Sequence, residues 1–400
     1  MPKTLRNIVI YGLLFSALRM LVGATSAVYI LSQGISLEEL GYLKSFQFFL
    51  VLILDIPLSY IVDSSSRKLS IIVSAFFASF WLLITAFAMD LQIFYVAEFC
   101  NAISISLFNG AFLSYLVDIK NNFHQEIETK NVFAVFHKYD GLMMASSSFV
   151  GACFINTSSN ITWIISGTLL FILPLIFIFI LPKDNLRTKS TEFPLLIRFF
   201  QDIKLIFFHI KNNRILRYYI LMLVFALVYM QTLIQIWQPI LLIDSKNDKG
   251  VFYGIAFCLI LLIQSFASYC IEKYSENNIT TLKKLSVLLM LSPLVIFFDY
   301  LNYLSLNIFL LFAISFFSIK GMLIIISSEF HNHVPPEFRS TFEALTSVLS
   351  KLALIISFPL VMTGVQKYGI SSLIYFLISL SMIFIFIQYY FAISVFKQEN

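Results

Sequence analysis

Five ionisable residues of this sequence sit inside long apolar runs: Arg19, Asp55, Glu98, Lys320 and Lys351. A charged side chain among hydrocarbon costs about 2.5–3.5 kcal/mol on insertion scales, so such residues face a cavity or one another. Their chemistry is of two kinds. Arg19 stays charged at any relevant pH and offers a planar fork of donors suited to a carboxylate or phosphate, and Lys320 supplies a second cation. Asp55 and Glu98 can change protonation state when desolvated, which is what coupling to a proton gradient requires. Each has a structural alternative: Arg19 neutralised by Asp55 or Glu98, and each carboxylate held in an ion pair. A second constellation is Tyr229, Gln231, Gln235 and Gln238, flanked by Trp237 and Pro239. The glutamines are spaced i, i+4, i+7 and share one helix face. Three amides on one face either bond a neighbouring helix or line the path of a solute.

These side chains must be positioned by a membrane. The sequence is 59% hydrophobic and only 12% charged, with a mean hydropathy of +0.87. A soluble domain carries about 25% charged residues to keep its surface solvated. The bilayer is therefore the expected solvent, and lipid the first partner. The net charge of +5 raises the question of an anionic polymer. The basic residues fall in short gaps between apolar runs, however, so no nucleic-acid partner is expected. Cys100, Cys153, Cys258 and Cys270 lack the short pair spacings of a zinc site. His331 and His333 stand two apart without further ligands. No metal, cofactor or catalytic group is expected.

A membrane span needs roughly 20 mostly apolar residues. The apolar runs predict spans near 8–32, 40–62, 69–89, 92–117, 134–155, 161–181, 215–243, 250–271, 284–304, 305–328, 340–364 and 370–395. The first run is too long for the apolar part of a signal peptide and reads as a span. An even count puts both termini on one side of the membrane. Of the 27 Lys and Arg residues, Arg19, Lys320 and Lys351 lie within spans and only Lys44, Lys246, Lys249 and Lys367 fall on the far side. The rest lie with the termini, which the positive-inside rule places in the cytoplasm.

The longest polar stretch divides the chain into an N-terminal bundle at 1–181, a linker at 182–214 and a C-terminal bundle at 215–400. Residues 194–211 of the linker mix Leu, Ile and Phe with Arg198, Lys204 and Lys211, the pattern of a basic amphipathic helix on the membrane surface. The two halves repeat one another. Laid over the second span, the eighth puts Gly250 on Gly41, Phe257 on Phe48, Ser268 on Ser59, Tyr269 on Tyr60 and Glu272 on Asp63. The shared ending Ser-Tyr-x-x-acid carries most weight, because chance identity is easy among apolar residues.

In these features the sequence resembles the major facilitator superfamily, whose members have twelve spans in two six-helix halves. The superfamily signature between spans two and three reads Gly-x-x-x-Asp-basic-x-Gly-basic-basic. The matching stretch here runs from Ser59 through Asp63 to Arg67 and Lys68: the acid and the basic pair are present, and both glycines are serine. A second likeness is Val334-Pro335-Pro336 followed by Arg339, Ser340 and Thr341 before span eleven. A third is Asp55-Ile56-Pro57 in span two. The resemblance implies an all-α membrane fold of two pseudo-symmetric six-helix bundles. It further implies a cytoplasmic gate formed by Asp63, Arg67, Lys68, Glu272 and Arg339. Spans one, four, seven and ten line the central cavity of that fold, which favours Arg19, Glu98 and Lys320 among the intramembrane charges.

The function expected is secondary active transport of a small, anionic or other organic solute, a metabolite or siderophore-like molecule, by alternating access. Arg19, Tyr229, Gln231, Gln235, Gln238 and Lys320 would bind it. Asp55 and Glu98 would carry coupling protons. Efflux of a drug or toxic compound is the alternative. Span five, with Asp140-Gly141 and Gly151, lacks the Gly-rich, Pro-containing signature of the superfamily's drug/proton antiporters, which weakens that alternative. A transport-dead sensor or scaffold on the same fold is a reading of another class. The sequence has no HExxH, G-x-S-x-G or Walker motif, so no enzyme and no ATP drive are expected. A monomer in a bacterial inner membrane is the expected setting.

Overall fold

The computed structural model describes residues 2–64, 66–127, 129–153, 159–183, 213–245, 250–274, 277–293, 304–334 and 339–396. The described residues form helices α1 (Lys3–Met20), α2 (Ser26–Ser32), α3 (Leu37–Ser64), α4 (Arg67–Phe87), α5 (Leu91–Phe123), α6 (Thr129–Cys153) and α7 (Ile161–Ile180). They continue with α8 (Arg214–Ser245), α9 (Gly250–Tyr274), α10 (Asn278–Leu291), α11 (Leu304–His333), α12 (Arg339–Tyr368) and α13 (Ile370–Phe396). No strand occurs among the described residues. This is what a bilayer dictates: hydrocarbon offers backbone groups no partner, and a helix satisfies them within one segment.

Eight of these helices, α4, α5, α7, α8, α9, α11, α12 and α13, are long and apolar enough to cross a membrane. Several of the remaining expected spans are interrupted by charged and polar residues. Helix α3 carries Lys44 and Asp55, and α6 carries His137, Lys138 and Asp140. The ninth span, expected at 284–304, is described only to Pro293. The amphipathic segment expected at 194–211 lies outside the described residues.

Helix ends follow local chemistry. Ser36 and Glu39 form a capping box at the start of α3: the Ser36 amide donates to Glu39 Oε2 at 2.8 Å and the Glu39 amide to Ser36 Oγ at 3.2 Å. Asn277 caps α10 by accepting from the amides of Ile279 and Thr280. Between α12 and α13 the chain reverses at Gly369, whose φ of +70° is left-handed and whose amide bonds the Val365 carbonyl at 2.9 Å. Within the spans some hydroxyls bond their own helix, as Thr232 does the Val228 carbonyl and Ser381 that of Leu377, and others bond a neighbour, as Ser79 of α4 does the Gly167 carbonyl of α7. Large apolar side chains point outward, Phe179 at 90% exposure being the extreme. In a bilayer that surface meets lipid.

The described residues divide into two compact units, Met1–Glu192 with Asn247–Cys258, and Phe193–Lys246 with Leu259–Asn400. The first contains α1–α7 and the opening part of α9. The second contains α8, the rest of α9, and α10–α13. In the first unit α1 packs on α5, α6 and α7; in the second α8 packs on α11, α12 and α13. These are equivalent partners in sequence order, so the repeat seen in the sequence reappears as equivalent packing within each unit.

The first span, expected as one helix over 8–32, is broken. Helix α1 stops at Met20, short turns follow with Gly23 bonded to the Met20 carbonyl and Thr25 to Val22, and α2 resumes at Ser26. A break frees carbonyls at the end of the first segment, and in hydrocarbon each needs a new donor. Two serines supply them. Ser147 of α6 donates to the Ala17 carbonyl at 2.5 Å, and Ser166 of α7 donates to Leu18. Replacing fully buried Ser166 by alanine withdraws one donor, and thermal unfolding in detergent is expected to register a loss of about 1–3 kcal/mol.

Candidate functional site

The break places Arg19, in the last turn of α1, against the middle of α5. Its Nη2 donates to Asn101 Oδ1 at 2.7 Å and its Nη1 to Ser104 Oγ at 2.9 Å. The guanidinium also lies over the Trp81 ring, 4.9 Å from its centroid, and 5.5 Å from that of Phe15. Stacking on aromatic faces suits a planar, weakly hydrated cation. Asn101 turns its amide nitrogen to Glu98 Oε2 at 2.8 Å, and Glu98 Oε1 accepts from Lys44 Nζ at 2.8 Å. A continuous chain Arg19–Asn101–Glu98–Lys44 thus runs from α1 across α5 to α3. Glu98, Asn101 and Ser104 stand three apart along α5, which keeps them on neighbouring turns of one side, and all are buried.

This arrangement differs in two ways from the pairings considered for the sequence. Arg19 reaches Glu98 through Asn101, and the direct partner of Glu98 is Lys44. Asp55 is bonded by the hydroxyl of Ser106. From the sequence Lys44 reads only as a residue on the far side of the membrane. The signal that would have found it is depth: Lys44 lies two turns into α3 and Glu98 two turns into α5, from ends that face the same side.

A cavity of about 460 Å³ opens beside Arg19, within the size range of about 300–1,000 Å³ usual for small-molecule sites. Its walls come from α1, α5 and α6. One side is aromatic: Phe15 stacks on Phe108 with centroids 4.0 Å apart, and Phe108 on Phe112 at 4.8 Å. Phe112 can lie this close to α1 because residue 12 is glycine, where any Cβ would collide with the ring. The polar lining is Arg19, Ser16, Asn109, His137 and Asp140. Neither His137 nor Asp140 figured among the expected site residues; their spacing of i, i+3 on a span-length run was the available signal.

In the second unit, Gln231 and Gln235 of α8 are half-buried and Gln238 is buried. Tyr229 does not share their face. Two residues before Gln231, it is turned about 200° around the helix. It is buried, with its hydroxyl among Ser292, Ser315 and Ser381 in the interior of that unit. Lys320, in α11, is half-buried.

A family model described as Major Facilitator Superfamily matches residues 8–358. The chain belongs to the major facilitator superfamily. Its solved structural neighbours agree in fold. The nucleoside transporter NupG aligns with a TM-score of 0.74 at 14% identity, covering 98% of each chain. A transporter of the POT family in complex with 5-aminolevulinic acid aligns at 0.70 and 12% identity, over 98% of this chain and 96% of that one. A bacterial homologue of the human lysosomal transporter Spinster, inward-facing and occupied, aligns at 0.68 and 11%, again over 98% and 96%. No curated protein sequence matches the chain. Membership of the superfamily makes this an integral membrane protein of secondary transport, with a small molecule as its substrate.

The superfamily signature loop leads from α3 into α4. Arg67 binds Asp118 at 2.5 Å and the Ser114 carbonyl at 3.1 Å, both on α5. Lys68 donates to the Leu181 carbonyl at 2.7 Å, closing the end of α7. Both basic residues therefore make bonds inside the first unit. Glu272 is exposed. The side chains of Asp63 and Arg339 lie outside the described residues, as do Pro335–Phe338.

Proposed function

We propose that this protein carries a small organic solute bearing an anionic group across the membrane by alternating access, in symport or antiport with protons. The observation that carries the reading is Arg19: a guanidinium held by Asn101 and Ser104 in the wall of a 460 Å³ cavity, in a network where two cations share the single carboxylate of Glu98. The positive charge left over suits an anion. The remaining donors of the fork are available to a carboxylate or phosphate. In the second bundle the amide face of Gln231, Gln235 and Gln238, with Lys320, is the proposed counterpart, and Tyr229, turned into the interior of that unit, is left out of it. Asp55 and Glu98 are the proposed carriers of coupling protons, and the loop from Asp63 to Lys68, with Glu272 and Arg339, the proposed gate on the cytoplasmic side. The solutes named with the structural neighbours, nucleosides and 5-aminolevulinic acid, are of a size that such a cavity accommodates. We place the protein as a monomer in a bacterial inner membrane with both termini in the cytoplasm.

The test is uptake into vesicles reconstituted with the full chain, with a panel of carboxylate and phosphate metabolites offered under an imposed proton gradient. Wild type is expected to accumulate at least one of them. Arg19→Ala is expected to lower that uptake by about 10- to 100-fold, the cost of a lost charge-assisted bond. Gln235→Ala should reduce it by several-fold. Unchanged flux in both variants would remove the proposed site.

A further inference from the structure

Among the described residues Asp140 is the one acid that lines the cavity beside Arg19. Its Oδ1 is buried without a hydrogen-bond partner, and the Ser16 hydroxyl lies beside the carboxylate. No cation stands within ion-pair distance of it among the described residues. An acid in this position is anomalous in a site built only for anions, because it would repel the very group that Arg19 attracts. The other ionisable residue of the lining, His137, sits one turn before Asp140, is exposed, and packs its ring against Phe136 with centroids 5.3 Å apart. The cavity thus offers an unpaired positive charge on α1 and an unpaired negative charge on α6. Between them runs an apolar side of stacked Phe15, Phe108 and Phe112.

We propose that the cavity takes an amphoteric solute, with its anionic group on Arg19, a protonated amine on Asp140 and Ser16, and a flat apolar body along Phe15, Phe108 and Phe112. The inference rests on the transport reading and narrows it, from an anionic solute to one that carries both charges. Each charge of the solute then offsets one of the cavity, so the loaded site is electrically balanced. An ammonium also supplies the donor that Asp140 Oδ1 lacks, and burial makes such charge-assisted bonds strong. His137, at the exposed edge, is left to water.

Matched probe sets test this on the purified full-length protein in detergent by titration calorimetry. Each set holds an aromatic amino acid or dipeptide, the same molecule without its amine, and the same molecule without its carboxylate. The amphoteric member of at least one set is expected to bind about tenfold or more tighter than either partner. Asp140→Asn should erase the preference over the amine-free partner, weakening the amphoteric member and relieving the repulsion of the anion, and Asp140→Glu should restore much of it. Arg19→Gln should instead erase the preference over the carboxylate-free partner. If no amphoteric probe is preferred, or if Asp140→Asn leaves the preference intact, the proposal is overturned. An anionic probe whose uptake depends on Arg19 and is indifferent to Asp140 would overturn it while leaving the transport reading standing.

Discussion

Replacing Glu98 by leucine is expected to destabilise the protein by about 3–5 kcal/mol, the usual cost of removing one partner of a buried ion pair. The magnitude follows from what is left behind. Lys44 and Arg19 both depend on this carboxylate, one directly at 2.8 Å and the other through Asn101. The Glu98 side chain is only 3% exposed and that of Lys44 13%, so water replaces little of the lost interaction. The double variant Lys44→Met, Glu98→Leu should recover most of the loss, because an apolar pair of similar volume in place of a buried ion pair is often neutral or better. Thermal unfolding in detergent, followed by tryptophan fluorescence, measures both. A Glu98→Leu protein as stable as wild type would mean that the Arg19–Asn101–Glu98–Lys44 chain does not hold α1, α3 and α5 together. Glu98→Gln addresses coupling: it keeps the shape of the side chain and one of the two acceptor oxygens that Lys44 and Asn101 use, but cannot exchange a proton. Stability near wild type with flux uncoupled from the proton gradient would assign Glu98 the coupling role, and coupled flux would remove it.

Gly151→Val is expected to be at least as damaging, on the order of 3 kcal/mol or more, or to leave no folded protein at all. A Cβ at this position would collide with the Leu21 carbonyl oxygen, in the break between α1 and α2. The obstacle is backbone, which cannot swing aside as a side chain end can. The break would have to shift, and with it the Ser147 and Ser166 bonds that satisfy the freed carbonyls. Gly141 in the same helix supplies the control. Nothing lies within 4 Å of a Cβ there, so Gly141→Ala should stabilise α6 by about 0.5–1 kcal/mol through helix propensity alone. Folded yield by fluorescence-detected size exclusion and melting temperature read the pair. Equal behaviour of the two variants would show that the close approach of α6 to the break is not needed.

The all-helical membrane fold, its duplication and its family could all be read from one dimension, because each is written in local or periodic form. Hydrocarbon forces a run of about 20 apolar residues into a helix whatever surrounds it, so the runs from Arg67–Phe87 to Ile370–Tyr389 announce themselves. The amide face of α8 was likewise legible, since i, i+4, i+7 spacing needs no partner to define it. So was the anomaly of Arg19, an arginine where lipid should be. The choice of partners was decided by tertiary structure. Which carboxylate serves Arg19 depends on how α1, α3 and α5 are rotated against each other, and no spacing within one helix encodes that rotation. The pairing of Lys44 with Glu98 and the turn of Tyr229 away from the amides of its own helix are therefore decided by packing. The break at Leu21–Thr25 was equally hidden, because its sequence is apolar enough to continue a helix. Gly151, Ser147 and Ser166 on two other helices make the interruption tolerable, and only their packing brings the cavity, with Arg19 on one wall and Asp140 on another, into being.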